Sequence, residues 1–104
     1  MNYHEIDPRE AKDMMEAGKN FFLLDVREQH EFDAASIEGV TLIPLGQLKE
    51  KLTGLNKEDS LLCICAGGIR SARAAKLLVS EGFKDVTNMK EGMHGWQARD
   101  FPVA

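Results

Sequence analysis

The apolar residues of the chain fall into short runs, and the segments between those runs have helical spacing. The runs predict strands at residues 3–6, 21–24, 40–43, 61–65 and 84–89. The run at 21–24 is continuously apolar, which is typical of a strand covered on both faces. Because strands alternate with helices, the pattern indicates an α/β fold, with a central, mainly parallel sheet and helices on both faces.

The helices are predicted from their start and stop residues as much as from their apolar stripes. Asp7 suits an N-cap and Pro8 the first helical position, and Gly18 suits the end of that first helix. A short helical turn is expected to pack Phe32 inward. The remaining helices are predicted at residues 44–54, 71–81 and 92–99, the last of them carrying Trp96.

One stretch combines a predicted strand, a tight loop with two glycines and a helix rich in alanine. The strand is 61–65, Gly67 and Gly68 lie in the loop, and Gly82 is a plausible helix stop. Such a connection directs loop amides and a helix N-terminus at one point beyond the strand end, which favours an anion. Since ligands of open α/β sheets lie at the carboxyl ends of strands, Cys65 is expected at the rim of this concavity.

Composition narrows the classes of function. The chain has 104 residues, 43% of them hydrophobic and 29% charged, which predicts one globular domain over residues 1–104. The formal charge of −4 argues against nucleic acid and anionic membranes as partners, because both favour a basic face. The first residues lack a basic segment followed by an apolar one, so we expect a cytoplasmic protein.

The two cysteines, Cys63 and Cys65, are too close in a strand for good disulfide geometry. Thiol chemistry in a reducing compartment is therefore the better interpretation. Their spacing, and that of the three histidines, does not match a metal site, so neither a metal nor another cofactor is expected. Cys63 lies inside the predicted strand, which favours core packing, with a sulfur-receiving thiol as the alternative.

The segment Cys65-x-x-Gly68-x-Arg70-Ser71 resembles the active-site loop of the rhodanese family, sulfurtransferases that carry sulfur as a cysteine persulfide. The resemblance covers nearly the whole chain. Its other parts are the segments 23–28, 37–45 and 82–96. It implies a three-layer rhodanese-like domain in which Cys65 is the catalytic nucleophile and no cofactor takes part. The substrate-binding residues implied are Ala66, Gly67, Gly68, Ile69 and Arg70.

The expected chemistry is covalent catalysis in two steps, in which Cys65 takes sulfur from a donor and passes it to a thiol or cyanide. A free thiol is only slightly ionised at neutral pH, so the loop has to stabilise the thiolate. We expect converging amides, the helix N-terminus and Arg70 to do so, and both glycines to let the backbone curl around the sulfur. Arg70 as an ordinary surface residue is the alternative.

The sequence departs from the family pattern at two places. Ala35-Ser36 stand where the family commonly has Gly-His before the isoleucine, a difference that we expect to be structural. Ala66 brings no charge where some family members have a basic residue, so a neutral or protein-bound donor is an alternative to thiosulfate. Asp25 and Arg27 are expected to brace the site through an ion pair, and His94 to lie near the pocket mouth or to pack. The expected partners are a small-molecule or protein sulfur donor and a thiol acceptor, for a monomer or weak homodimer.

Loop length separates sulfur transfer from related activities. Four residues, 66–69, lie between Cys65 and Arg70. Cysteine phosphatases and arsenate reductases, including those on this same fold, have five. The shorter ring suits a sulfur atom better than a tetrahedral phosphate, so those activities are the weaker alternatives. A non-catalytic interaction module on the same fold is the rival from another class.

Overall fold

The computed structural model of the chain describes residues 2–104, and its five strands form one parallel sheet. The strands are β1 (His4–Ile6), β2 (Phe21–Asp25), β3 (Thr41–Leu42), β4 (Ser60–Ile64) and β5 (Asp85–Met89). Their order across the sheet is β1-β5-β4-β2-β3, and each neighbouring pair is parallel. The predicted α/β architecture is confirmed, and β4 is the middle strand.

Residues 2–104 contain five α-helices, of which the first four lie between strands and the last follows β5: α1 (Pro8–Glu16), α2 (Gln29–Ala34), α3 (Leu45–Leu48), α4 (Ile69–Ser80) and α5 (Gly92–Ala98). A 3₁₀ helix, Lys49–Gly54, extends α3. The predicted start of α1 is confirmed, since Asp7 accepts the Glu10 amide at 2.8 Å, Glu10 reciprocates and Pro8 follows the cap. Gly18 and Gly82 have positive φ just after α1 and α4, as their predicted roles as helix stops require.

Two apolar cores lie on opposite faces of the sheet, because successive side chains of β4 point to opposite sides. Leu61, Cys63 and Cys65 join the core beneath α3 and α4. Leu62 and Ile64 join the core that contains Trp96 of α5 and Ala11 of α1. This arrangement gives the three layers predicted from the sequence.

Four local predictions are corrected by the structure. The predicted strand 40–43 shortens to β3, and the predicted strand 61–65 ends at Ile64, so Cys65 lies just beyond it. Phe32 is only half-buried instead of packing fully inward, because the short helix α2 has no buried residue. Helix α4 begins at Ile69 rather than Ser71, since Gly68 already serves as its N-cap.

Candidate active site

Cys65 follows the last residue of β4, at the carboxyl end of the middle strand. It was expected at the rim of a concavity, but the structure buries it, with 1% of its surface exposed. The reason is that its side chain turns inward, beneath the loop that follows it and towards the first turn of α4. We call residues 65–70 the cysteine loop.

The sulfur of Cys65 has two polar neighbours. The Gly68 amide donates to Sγ at 3.0 Å, and the Ser71 hydroxyl lies 3.2 Å from Sγ. The sequence predicted several converging amides around the sulfur. Among the described residues, the structure instead shows one amide and one hydroxyl there. The amide donates, and the hydroxyl is able to donate to a charged sulfur, so both can stabilise negative charge there; burial strengthens such an interaction because water screens it less.

Gly68 owes its place in the cysteine loop to its conformation. Its φ is 102°, in the left-handed region, and an added Cβ would lie 3.1 Å from the Glu91 nitrogen. Gly67, which was expected to need the same freedom, has no positive φ, and a Cβ there would meet only His94 Nδ1, at 3.9 Å. Only the second glycine is thus required by the backbone that directs an amide at Sγ.

Helix α5 fixes the cysteine loop through backbone hydrogen bonds. The Met93 amide donates to the Cys65 carbonyl at 2.8 Å, and the His94 amide donates to the Ala66 carbonyl at 2.9 Å. This close approach requires Gly92, because a Cβ there would lie 2.3 Å from the Cys65 carbonyl oxygen. The loop carbonyls are thereby fixed on the α5 side.

Asn88 of β5 supports the loop from a third direction. Its Nδ2 donates to the Gly68 carbonyl at 3.3 Å and to Glu5 Oε2 at 2.8 Å. The side chain is buried, and its Oδ1 has no hydrogen-bond partner among the described residues. Asn88 therefore fixes the carbonyl of Gly68, the residue whose amide donates to Cys65 Sγ.

Arg70, which was expected to help hold an anion, already has a carboxylate partner. Its two terminal nitrogens donate to Glu31 Oε1 at 2.7 Å and to Oε2 at 2.8 Å, a bidentate pair. The hydrogen bond from Arg70 lowers the pKa of Glu31 from its ordinary 4.5 to about 2, and Glu31 in turn raises the pKa of Arg70. Both groups are therefore charged at neutral pH.

This pairing predicts an acid-dependent loss of stability. Because the folded pKa of Glu31 lies below its ordinary value, its contribution is present above about pH 4.5 and is lost as the pH falls towards 2. We expect the wild type to lose about 1 kcal/mol more free energy of unfolding than Glu31→Gln between about pH 6 and pH 2, a figure that allows for solvent screening. Urea unfolding at several pH values measures this difference.

The control for that prediction is Glu58→Gln, which removes an exposed carboxylate 3.9 Å from Lys84. Wide exposure makes such a pair weak. The acid dependence of Glu58→Gln should therefore match the wild type. Equal acid dependence in wild type and Glu31→Gln would contradict the inferred strength of the Glu31–Arg70 pair.

The predicted bracing pair of Asp25 and Arg27 is confirmed. Arg27 Nε and its NH2 nitrogen donate to the two Asp25 oxygens at 3.0 and 2.8 Å, and both side chains are buried. The Arg27 guanidinium also donates to the carbonyls of Glu31 and Ala35. The pair therefore fastens α2, and Glu31 with it, to the carboxyl end of β2.

Cys63 behaves as a core residue, in line with the favoured interpretation. It is fully buried among apolar side chains of the α3 and α4 side. Burial raises its pKa to about 12, with a smaller contribution from the nearby Cys65. At neutral pH Cys63 is therefore a protonated thiol.

A cleft of about 280 Å³ opens beside the cysteine loop. Its lining includes Ala66, Met93 and His94, together with Arg27 and Glu31. His94 thus lies at the pocket mouth, one of its two expected positions, whereas Trp96 is buried in the core of the α1 and α5 side. Ala66 is the residue of the cysteine loop that lines this cleft, so the cleft borders the loop that follows Cys65.

Ile69, the remaining predicted site residue, is 72% exposed at the start of α4. Of the predicted substrate-binding residues 66–70, only Gly68 forms a hydrogen bond with the Cys65 sulfur.

Within residues 2–104 there is no group of three or more His, Cys, Asp or Glu side chains that could hold a metal ion. None of the helices described is long and apolar enough to span a bilayer.

Three residues of the site were not assigned from the sequence. Ser71 directly follows Arg70 in the matched segment, and its position one helical turn after Gly68 is the signal that could have revealed it. Glu31 and Gly92 act on the loop from elsewhere in the chain. Their contacts depend on how α2 and α5 pack, and local sequence patterns do not carry that information.

Comparison with known proteins identifies relatives of the whole chain. The family model described as "Rhodanese-like domain" matches residues 7–99. YtwF of Bacillus subtilis, named as a candidate sulfurtransferase, is 34% identical over 102 residues, which cover 98% of each protein. YrkF of the same organism, named as a candidate sulfur carrier protein, is 37% identical over 91% of this chain, and the chain spans 51% of YrkF.

A solved structure has the same architecture. The crystal structure of a rhodanese-related protein from Thermoplasma volcanium superposes with a TM-score of 0.89 at 30% sequence identity. The match covers 98% of this chain and 98% of that one.

Proposed function

Because the chain belongs to the rhodanese-like domain family, we propose that it is a sulfurtransferase that carries sulfur as a persulfide on Cys65. The observation that carries the proposal is the pair of polar groups at the sulfur, the Gly68 amide, which donates at 3.0 Å, and the Ser71 hydroxyl, which lies 3.2 Å away. The names of YtwF and YrkF support the same class of chemistry.

In the first step the Cys65 thiolate attacks the outer sulfur of the donor. A bond forms between Sγ and that sulfur, and the donor's own bond to it breaks. The leaving group, sulfite for thiosulfate or a thiolate for a persulfide, departs with the electron pair. The Gly68 amide and the Ser71 hydroxyl hold the thiolate before attack, so a histidine base is not required.

In the second step an acceptor thiolate or cyanide attacks the outer sulfur of the Cys65 persulfide. The bond between that sulfur and Sγ breaks, and its electron pair returns to Cys65 as a thiolate. The same two donors stabilise the leaving thiolate, because hydrogen bonds to a charged sulfur are stronger than those to a neutral one.

The proposed reaction needs access to Sγ, since Cys65 is 1% exposed. The residues of the cysteine loop, 66–70, are the proposed substrate-binding segment, and the adjacent cleft is the proposed entrance. Substrate entry then involves a displacement of this loop or a rotation of the Cys65 side chain. A reducing cytoplasmic compartment suits the proposal, since both cysteines are free thiols.

Steady-state assays test the proposal. Incubation with thiosulfate, or with 2-hydroxyethyl persulfide, and a thiol acceptor should give sulfur transfer above the uncatalysed rate. A phenyl phosphate substrate should not be hydrolysed above background, because the ring is one residue short for phosphate. Absence of transfer with every donor would favour an interaction module, and phosphate turnover would favour a phosphatase.

A further inference from the structure

The proposed function leaves the donor open, and the charges around Arg70 bear on it. The cysteine loop contains a single cationic side chain, Arg70, and both of its terminal nitrogens are bound to Glu31. Glu28 acts on Arg70 as a second nearby negative charge. A dianion that approaches Cys65 therefore meets a cation that is already neutralised.

Glu31 is held in place independently of Arg70. Its Oε1 also accepts the Glu28 amide at 3.0 Å, and its backbone carbonyl accepts from Arg27 at 3.2 Å. Arg27 in turn is fixed by the buried carboxylate of Asp25. The Glu31 carboxylate is therefore preorganised and loses little conformational freedom when it binds Arg70. A substrate anion has to displace this carboxylate before it can bind Arg70.

We propose that Glu31 is a specificity-determining residue that makes the site select a persulfide carried on a thiol over dianionic thiosulfate. The inference rests on the proposed sulfurtransferase function. In the favoured reaction the Cys65 thiolate attacks the terminal sulfur of R–S–S–H. The new bond joins Sγ to that sulfur, which keeps its proton, and RS⁻ leaves with the electron pair of the broken bond.

The charge difference between the two donors explains the selection. Thiosulfate carries two negative charges, and sulfite leaves with both. A persulfide group carries at most one negative charge, and none in the protonated form that is attacked, so Glu31 and Glu28 oppose its approach less than that of thiosulfate. While it is bound to Glu31, Arg70 holds α2 against the cysteine loop and contributes less to the binding of a dianionic donor.

The test is the rate at which Cys65 gains sulfur, followed by rapid quenching and mass measurement, with thiosulfate and with 2-hydroxyethyl persulfide. In Glu31→Gln we expect the thiosulfate rate to rise roughly fivefold to tenfold, and the persulfide rate to stay within about twofold. The matched control is Glu58→Gln, which removes the same charge in the loop before β4, at the opposite end of the sheet. It should leave the ratio of the two rates unchanged.

The double variant Glu31→Gln/Arg70→Gln identifies the cause. If the faster reaction of Glu31→Gln with thiosulfate comes from release of Arg70, the double variant should not show that increase in rate. An unchanged ratio of rates in Glu31→Gln would overturn the inference, and so would a gain that survives without Arg70.

A binding measurement separates this inference from the proposed function. In the Cys65→Ser background, which cannot accept sulfur, titration calorimetry should show roughly fivefold tighter thiosulfate binding when Glu31→Gln is added. If the wild type takes sulfur from neither donor, the proposed function fails, whereas the calorimetric comparison still decides whether Glu31 opposes the dianion. Equal thiosulfate affinities of Cys65→Ser and Cys65→Ser/Glu31→Gln would overturn the assignment of Glu31.

Discussion

Replacement of Cys65 by serine is expected to lower sulfur transfer by at least about a thousandfold while the fold is retained. A serine hydroxyl cannot form a persulfide, so the step in which sulfur rests on the protein is removed. The substitution is close to isosteric, and the hydroxyl can keep the contacts with Gly68 and Ser71. Initial rates with each donor, together with thermal unfolding, measure both parts of this expectation.

Cys63→Ala is the matched control, because it removes the other thiol from the same core. Cys63 is fully buried, and its pKa of about 12 keeps it protonated at neutral pH. We expect transfer rates within about threefold of wild type and a loss of about 1 kcal/mol in stability from the lost packing. The assignment would be contradicted if Cys65→Ser kept more than a tenth of the rate, or if folded Cys63→Ala lost as much activity.

Gly92→Ala is the second substitution with a large expected effect. The residue has a φ of 54°, and its added Cβ would lie 2.3 Å from the Cys65 carbonyl oxygen and 2.6 Å from that of Ala66. Backbone rather than a flexible side chain stands in the way, so α5 and the cysteine loop have to separate. We expect a loss of about 2–4 kcal/mol in stability and at least roughly tenfold slower transfer in the folded fraction.

Gly18→Ala is the control for backbone strain. Gly18 has a φ of 98°, and an added Cβ would meet no atom within 4 Å, so only the conformational cost remains. That cost is about 1–2 kcal/mol, and transfer should be unaffected because Gly18 lies between α1 and β2, away from the cysteine loop. Urea unfolding and initial rates compare the two variants. A Gly92→Ala effect as small as that of Gly18→Ala would mean that the contact of α5 with the loop is dispensable.

The sheet and its helices could be predicted from the sequence because their signals are local. Asp7 and Pro8 fix the start of α1, and the apolar run at 61–65 identifies the middle strand with an error of one residue at each end. The position of Cys65 at the carboxyl end of that strand follows from the same pattern. The fold and the proposed nucleophile can thus be inferred from short stretches of chain.

The surroundings of the sulfur could not be predicted in the same way. Arg70 meets Glu31, 39 residues earlier in the chain, and the cysteine loop is held by Gly92 on a different helix. These contacts arise from tertiary packing, and the spacing of apolar residues along the chain contains no information about them.

The most direct test of the account is the intact mass of the wild-type protein after incubation with thiosulfate or 2-hydroxyethyl persulfide. Because Cys63 and Cys65 are separated by one residue, fragmentation of the peptide that contains both locates the added atom. The account predicts a gain of one sulfur atom on Cys65, which a thiol acceptor removes. The absence of a gain with both donors, or a sulfur atom found on Cys63 instead, would contradict it.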